Sequence, residues 1–209
     1  MKKLLLIGAG GHCRSVLDSV LSSGDYDEIG IIDRPEAGQQ NAKIIGTDED
    51  LPRLAEEGWS YAFITVGSIG VPTIRKRLYQ TVKELGFYVP AIIDPSATIA
   101  KGVMIQEGVF VGKRAIVNTG SKIDVCAIIN TGAIIEHDCT VGAFVHISPG
   151  TILCGQVHVG KDTHIGAGTV VRQSINIGDT ALIGIGSVVV KDVPGYKKAF
   201  GNPCRVIEK

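Results

Sequence analysis

Aromatic residues are scarce in this chain, at 5% of 209 positions, and neither sign of charge dominates, with lysine plus arginine equal to aspartate plus glutamate at 21 each. So few rings make a bulky globular core of ordinary type a poor fit, and a formal charge of zero offers no general field to gather nucleic acid or an anionic membrane. Long apolar runs are missing too. The first, Leu4 to Ile7, is far shorter than a signal peptide or a membrane span, so we expect a cytoplasmic protein with no membrane insertion. The five cysteines (Cys13, Cys126, Cys139, Cys154, Cys204) are odd in number and have no CxxC spacing. Packed, reduced thiols are therefore expected, with no metal.

What the chain has in abundance is glycine, 27 residues, and a repeat. From Ile93 in steps of six to Val189, all seventeen positions are Ile, Val or Leu. A period of six is neither the 3.6 of a helix nor the 2 of an amphipathic strand, so the aliphatic marks one inward position per short strand and turn. Three such units close a coil of roughly 18 residues, and coils stacked about 4.8 Å apart form a parallel β-helix on the order of 27 Å long. The residue after the aliphatic is often small or turn-forming (Gly112, Asn118, Asp124, Gly142, Gly166, Gly184), which predicts sharp bends with positive φ there. Val193-Pro194-Gly195-Tyr196 breaks the repeat, and the tail beyond it is expected to form a cap or to reach a neighbour.

The first 90 residues follow another rule. Lys2 to Ile7 reads as a strand, Gly8-Ala9-Gly10-Gly11-His12 as a turn, and Val16, Leu17, Val20 and Leu21 as one face of a helix. A second apolar run ends at Asp33-Arg34, a third at Gly67-Ser68, and Ile74, Leu78, Val82 and Leu85 mark a further helix. This is the pattern of a small Rossmann-like parallel α/β sheet, whose ligands sit at the carboxyl ends of the strands. The expected organisation is residues 1–90 as a substrate-binding domain and 91–209 as the β-helix with its C-terminal cap. A dinucleotide fingerprint is incomplete, because the third glycine of G-x-G-x-x-G falls on Cys13. The turn could instead bring backbone N–H groups to a diphosphate, with Asp33 accepting from a ribose or base; a tight turn with no ligand is the alternative.

The glycine turn, the hexapeptide repeat and Ile135-Glu136-His137-Asp138-Cys139 within it together resemble the NeuD and PglD family of bacterial sugar acetyltransferases. The likeness spans essentially the whole chain, and the Gly201-Asn202-Pro203-Cys204-Arg205 tail is similar to endings of the hexapeptide class. The resemblance implies a left-handed coil, a homotrimer with sites between subunits, acetyl-CoA as acyl donor and a nucleotide-linked amino sugar as acceptor in surface-glycan synthesis. It assigns His137 as general base with Asp138 to orient it, and His146, Gly155, Ala167, Gly184 and Ile185 to coenzyme A. It sets Gly8, Gly10, Gly11, His12, Asp33, Arg34 and Gly67 against the sugar nucleotide. Arg34 stands where relatives that bind uridine diphosphate tend to have a second acid, so the nucleotide is left open.

The residue types suit that chemistry. Attack of an amine on a thioester needs a base that works near neutral pH, which is histidine's range, and a carboxylate on the second ring nitrogen fixes its tautomer. Cys139, two residues on, is expected to be a packed thiol and not a nucleophile, and His158 and His164 to be surface residues. Competing readings are O-acetylation of sialic acid or a related sugar, a non-catalytic binding protein, and a zinc enzyme using His137, His146 and His164.

Overall fold

A computed structural model describes residues 1–34 and 44–207. The chain divides into two units, Met1–Ser68 with Thr73–Ile92, and Ile69–Pro72 with Ile93–Lys209. A single break near residue 90 misses the segment 69–72, which is counted with the second unit.

In the first unit, β1 (Lys3–Ile7), β2 (Glu28–Ile32), β3 (Ile44–Gly46) and β4 (Tyr61–Ile64) form one parallel sheet in the order β3-β2-β1-β4. Leu4, Leu5, Leu6 and Ile7 are all buried, as an unbroken apolar run demands of a strand covered on both faces. The helices α1 (Gly11–Ser23), α2 (Leu51–Glu56) and α3 (Thr73–Glu84) supply Val16 and Val20, Leu51 and Leu54, and Leu78 and Val82 to the interior. Each such side chain contributes about 1.5–3 kcal/mol by leaving water. Leu21 and Ile74, which helical spacing puts on the buried faces, are instead 63% and 56% exposed. Helix α1 stops at Gly24, whose φ of 69° suits the left-handed cap and whose N–H bonds the carbonyl of Val20. The chain moves from β1 to β2 on one side, and β4 lies on the other, so a crevice opens at the carboxyl end of β1.

The second unit is a β-helix of seventeen two-residue strands, from Ile92–Ile93 to Val188–Val189. They stack in three parallel sheets with a register of 18, as in Ile134 opposite Ile152 and His146 opposite His164. The first face carries Phe110–Val111, Ile128–Ile129, His146–Ile147, His164–Ile165 and Leu182–Ile183. The second carries Thr98–Ile99 through Val188–Val189, and the third Met104–Ile105 through Asn176–Ile177. This is the architecture of the left-handed parallel β-helix. The repeated aliphatics point inward and are fully buried from Val111 onward. Ile93 is 38% exposed and Ile99 and Ile105 are half-buried, because the first coil has a neighbour on one side only.

A second inward column, two residues before each aliphatic, is not evident from the aliphatic count. It holds small residues, several of them polar: Ser121, Cys139, Thr151, Thr163, Thr169 and Ser187, all buried. Five donate to the carbonyl 15 residues ahead: Ser121 to Glu136 (2.9 Å), Cys139 to Cys154 (3.2 Å), Thr151 to Gly166 (3.2 Å), Thr163 to Gly178 (2.8 Å) and Thr169 to Gly184 (3.2 Å). The Ser121 and Thr163 hydroxyls also accept the N–H 18 residues on, so a buried hydroxyl costs little here.

The turn expectation needs correction. Positive φ falls three residues after the aliphatic, at Arg114, Asp138, Gln156 and Ser174 among others, and not at the glycine directly after it. That glycine serves close approach: a Cβ on Gly166 would lie 2.6 Å from the Ile185 nitrogen of the next coil. The repeat also does not end at Val193, which pairs with Ile177, while Lys198–Phe200 adds to the first face beside Leu182–Ile183. The last coil is two residues shorter than the others, and Arg205–Val206 folds back antiparallel to close it.

Candidate active site

His137 and Asp138 occupy the turn that joins the second face to the third, between Ile134–Ile135 and Thr140–Val141. Asp138 is held in the left-handed region at φ 59°, and its N–H bonds the Thr119 carbonyl one coil below at 3.0 Å. That bend carries its carboxylate to His137, with Oδ2 2.9 Å from Nδ1. With Nδ1 donating to the carboxylate, Nε2 keeps a lone pair that can accept a proton. The ring lies over Gly155, one coil above, where a Cβ would be 2.5 Å from Nε2. Both side chains of the dyad are more than half exposed, at 54% and 58%, so the site is open to a substrate.

Residues that the sequence reading did not single out continue this corner. Cys154, Arg172, Gln173 and Ser174 line a groove of about 510 Å³. The 18-residue register was the available signal, since it stacks Cys154 and Arg172 in line above Glu136. Cys139 is fully buried, and burial pushes its thiol up to about 11, which disfavours the thiolate.

His146 stands elsewhere, on the outer side of the first face. Its Nε2 is 3.2 Å from Asn130 Nδ2, and its ring meets that of His164 at 4.9 Å and 90°. His164 is only 8% exposed, which corrects its reading as a surface residue: it packs between coils with Nε2 3.4 Å from Ser148 Oγ, and burial pushes its pKa down. His158 is exposed as expected. Ala167 and Ile185 follow first-face strands in successive coils, joined by the Gly186 N–H to the Ala167 carbonyl at 2.8 Å. Ile185 is 79% exposed, and Gly184 is kept free of a side chain by Phe200, whose Cβ would be 2.7 Å away.

In a three-sided coil the corner between the second and third faces is opposite the first face. One chain therefore sets His137 and Gly155 at that corner, His146 on the face opposite it, and Ala167, Gly184 and Ile185 in the turns that join the first face to the second. The same geometry keeps His137 from joining His146 and His164 in a zinc site within the chain. Among the described residues there is no group of three or more His, Cys, Asp or Glu placed to hold a metal.

The first unit has its own cleft, of about 870 Å³, at the carboxyl ends of its strands. All seven residues expected there line it: Gly8, Gly10, Gly11, His12, Asp33, Arg34 and Gly67. Gly8 has a φ of 107° and would clash with Val66 if it bore a side chain, whereas Gly10 and Gly11 face open space. No side chain caps α1 at Gly10. Its first N–H groups and bare glycine backbone thus present an anion-attracting edge to the cleft. The Asp33 carboxylate accepts the Ala9 N–H and the Arg34 N–H, each at 2.6 Å, so it ties two strand ends together and retains lone pairs for a ligand hydroxyl. Thr47, Asp48, Glu49 and Arg77 complete the wall.

Comparison with known proteins accounts for both units. Residues 3–82 match the PglD N-terminal domain, and residues 138–173 match the bacterial transferase hexapeptide (six repeats). PerB from Caulobacter crescentus, solved with CoA and GDP-perosamine, is 34% identical with a TM-score of 0.93, covering 100% of this chain and 98% of that one. A histidine-to-asparagine variant of perosamine N-acetyltransferase from the same organism, with the same two ligands, superposes at 0.94, with 33% identity and the same coverage. The acetyltransferase domain of PglB from Neisseria gonorrhoeae, in complex with acetyl coenzyme A, is 36% identical over 99% of each chain, with a TM-score of 0.93. An uncharacterized protein of Acanthamoeba polyphaga mimivirus is 33% identical over 120 residues, and the chain spans 21% of the length of that curated relative. The chain belongs to the family of acetyl-CoA-dependent sugar N-acetyltransferases that join a PglD N-terminal domain to a hexapeptide-repeat β-helix.

Proposed function

We propose that this chain transfers the acetyl group of acetyl-CoA to the amino group of a nucleotide-linked amino sugar, with His137 as general base and Asp138 as its orienting carboxylate. The observation that carries the reading is the 2.9 Å contact between His137 Nδ1 and Asp138 Oδ2, on an open turn packed over the bare backbone of Gly155. The amine attacks the thioester carbon, Nε2 takes the proton, and the thiolate of CoA leaves as the tetrahedral intermediate collapses. General-base assistance of this type contributes typically 10²–10⁴-fold. No acyl-enzyme is needed, in keeping with the burial of Cys139. The cleft of the first unit takes the sugar nucleotide, its diphosphate beside Gly10 and Gly11.

The working form is a homotrimer in the cytoplasm. Two features support the trimer. Beyond Thr98, the outward residues of the second face are Ile116, Ile134, Ile152, Val170 and Val188, an apolar column left partly exposed, whereas the third face after Met104 shows Lys122, Thr140, His158 and Asn176. The expected coenzyme contacts are also spread around the coil, with His146 on the first face and Gly155 at the corner opposite it, so a site that uses both needs two copies.

Thiol release from acetyl-CoA, measured against a panel of nucleotide-linked amino sugars and free sialic acids, tests the reading. Release with an amino sugar, lowered about 100-fold or more in His137→Ala, is the expected result. Release only with a sialic acid would replace N-acetylation by O-acetylation, and no release with any acceptor would refute the enzyme.

A further inference from the structure

The cleft of the first unit has a wall that the sequence reading left unassigned, at the carboxyl end of β3. From the sheet order and the side chains there we infer that Thr47–Glu49 forms the nucleobase subsite and that the carboxylate of Glu49 selects guanine. The inference rests on the reading of this cleft as the sugar-nucleotide site.

The sheet order sets out the ligand in line. With the diphosphate at the end of β1, against the open backbone of Gly10 and Gly11, the next strand outward is β2, ending at Asp33, and the one beyond it is β3. A carboxylate at the end of the second strand of such a unit is placed for ribose hydroxyls. One strand further, about 4.8 Å on, is where the base of a nucleoside diphosphate falls. There the chain turns through Thr47 into the short 3₁₀ helix Asp48–Asp50, and Thr47, Asp48 and Glu49 line the cleft.

Three successive carboxylates stand at this turn, and two are occupied. Asp50 accepts the Thr47 N–H at 2.9 Å and pairs with Arg53 at 3.0 Å. Asp48 pairs with Arg77 at 3.5 Å. Glu49, exposed on the cleft wall, has no side-chain partner among the described residues. An ionised carboxylate only accepts, through two parallel oxygens. Guanine offers two adjacent donors, its ring N–H and its exocyclic amino group. Uracil offers one N–H between two carbonyl oxygens that a carboxylate repels, and adenine and cytosine set a single amino group beside a bare ring nitrogen. The geometry of the acceptor therefore discriminates in favour of guanine.

Calorimetric titration of the full chain with GDP, UDP, ADP and CDP, repeated on Glu49→Gln, tests this. GDP is expected to bind at least about tenfold more tightly than the others, and the glutamine variant to lose about tenfold or more of its GDP affinity, the effect of one bidentate base contact. Glu49 is exposed, so an unchanged melting temperature will show that the variant is folded. UDP binding as tightly as GDP, or a variant with unaltered GDP affinity, would overturn the base assignment. If His137-dependent acetyl transfer persists in that case, the functional reading stands; if no nucleotide binds at all, the reading of the cleft falls with the base assignment.

Discussion

The imidazole of His137 fills the space in which a side chain on Gly155 would begin. The two are 18 residues apart and lie in neighbouring coils, so the glycine is the seat of the ring. Gly155→Ala should leave the β-helix intact, since Gly155 does not have a positive φ, yet push the ring off its seat. We expect kcat/KM to fall about 10- to 100-fold, on the scale of losing a well-placed base, with the circular dichroism spectrum unchanged. Full activity in that variant would mean that the seat has no bearing on the chemistry.

Asp138 is held over Gly120, and its carboxylate is more than half exposed. An exposed pair contributes little to stability, about 0–1 kcal/mol. Asp138→Asn should therefore melt within a few degrees of the parent. Turnover should still drop about 10- to 100-fold, because an amide leaves the tautomer of His137 unfixed; this is less than the ~10⁴ of a buried triad carboxylate. Steady-state rates beside a thermal melt separate the two effects.

The exposed aliphatic column of the second face gives a test of assembly. Ile134→Glu and Ile152→Glu each put a charge in the middle of that column while leaving the inward Ile135 and Leu153 in place. Light scattering should show the proposed trimer giving way to monomer, with acetyl transfer lost alongside it. A variant that stays trimeric would show that another face makes the contact.

Cys139 bears on alkaline stability. Its thiol is raised from 9.0 to about 11, first by burial, so the folded state disfavours the thiolate relative to the unfolded chain. The stability it adds is fully present below pH 9 and is lost as pH rises toward 11. The melting temperature should fall across that window, and Cys139→Ser should flatten the fall without reducing activity. Serine fits because Ser121, one coil below, makes the same bond, to the carbonyl of Glu136 at 2.9 Å. An equally steep fall in Cys139→Ser would assign the alkaline transition to other groups.

The β-helix was legible because its core repeats: Val111, Val117, Ile123 and their successors meet the same neighbours in every coil, so spacing alone reveals them. Less of the rest showed. The small inward column does not show in the sequence because its serines and threonines look like surface residues until the carbonyl 15 positions ahead is in place. The burial of His164 is hidden for a related reason, since it comes from packing between coils. The seven cleft residues of the first unit were legible as loop ends, but Thr47 to Glu49 were not, because which strand lies beside β2 is a matter of sheet order.

By itself, then, the sequence determined what depends on neighbours along the chain: the period of six, the strand-turn-helix alternation, and the adjacency of His137 to Asp138. The tertiary structure decided what depends on stacking: that Gly155 carries the His137 ring, that His146 faces away on the opposite side of the coil, and that Asp33 is engaged by backbone N–H groups. The physical reason is that a coil of 18 residues brings distant positions into van der Waals contact while setting positions nine apart on opposite sides, and separation along the chain does not reveal that directly.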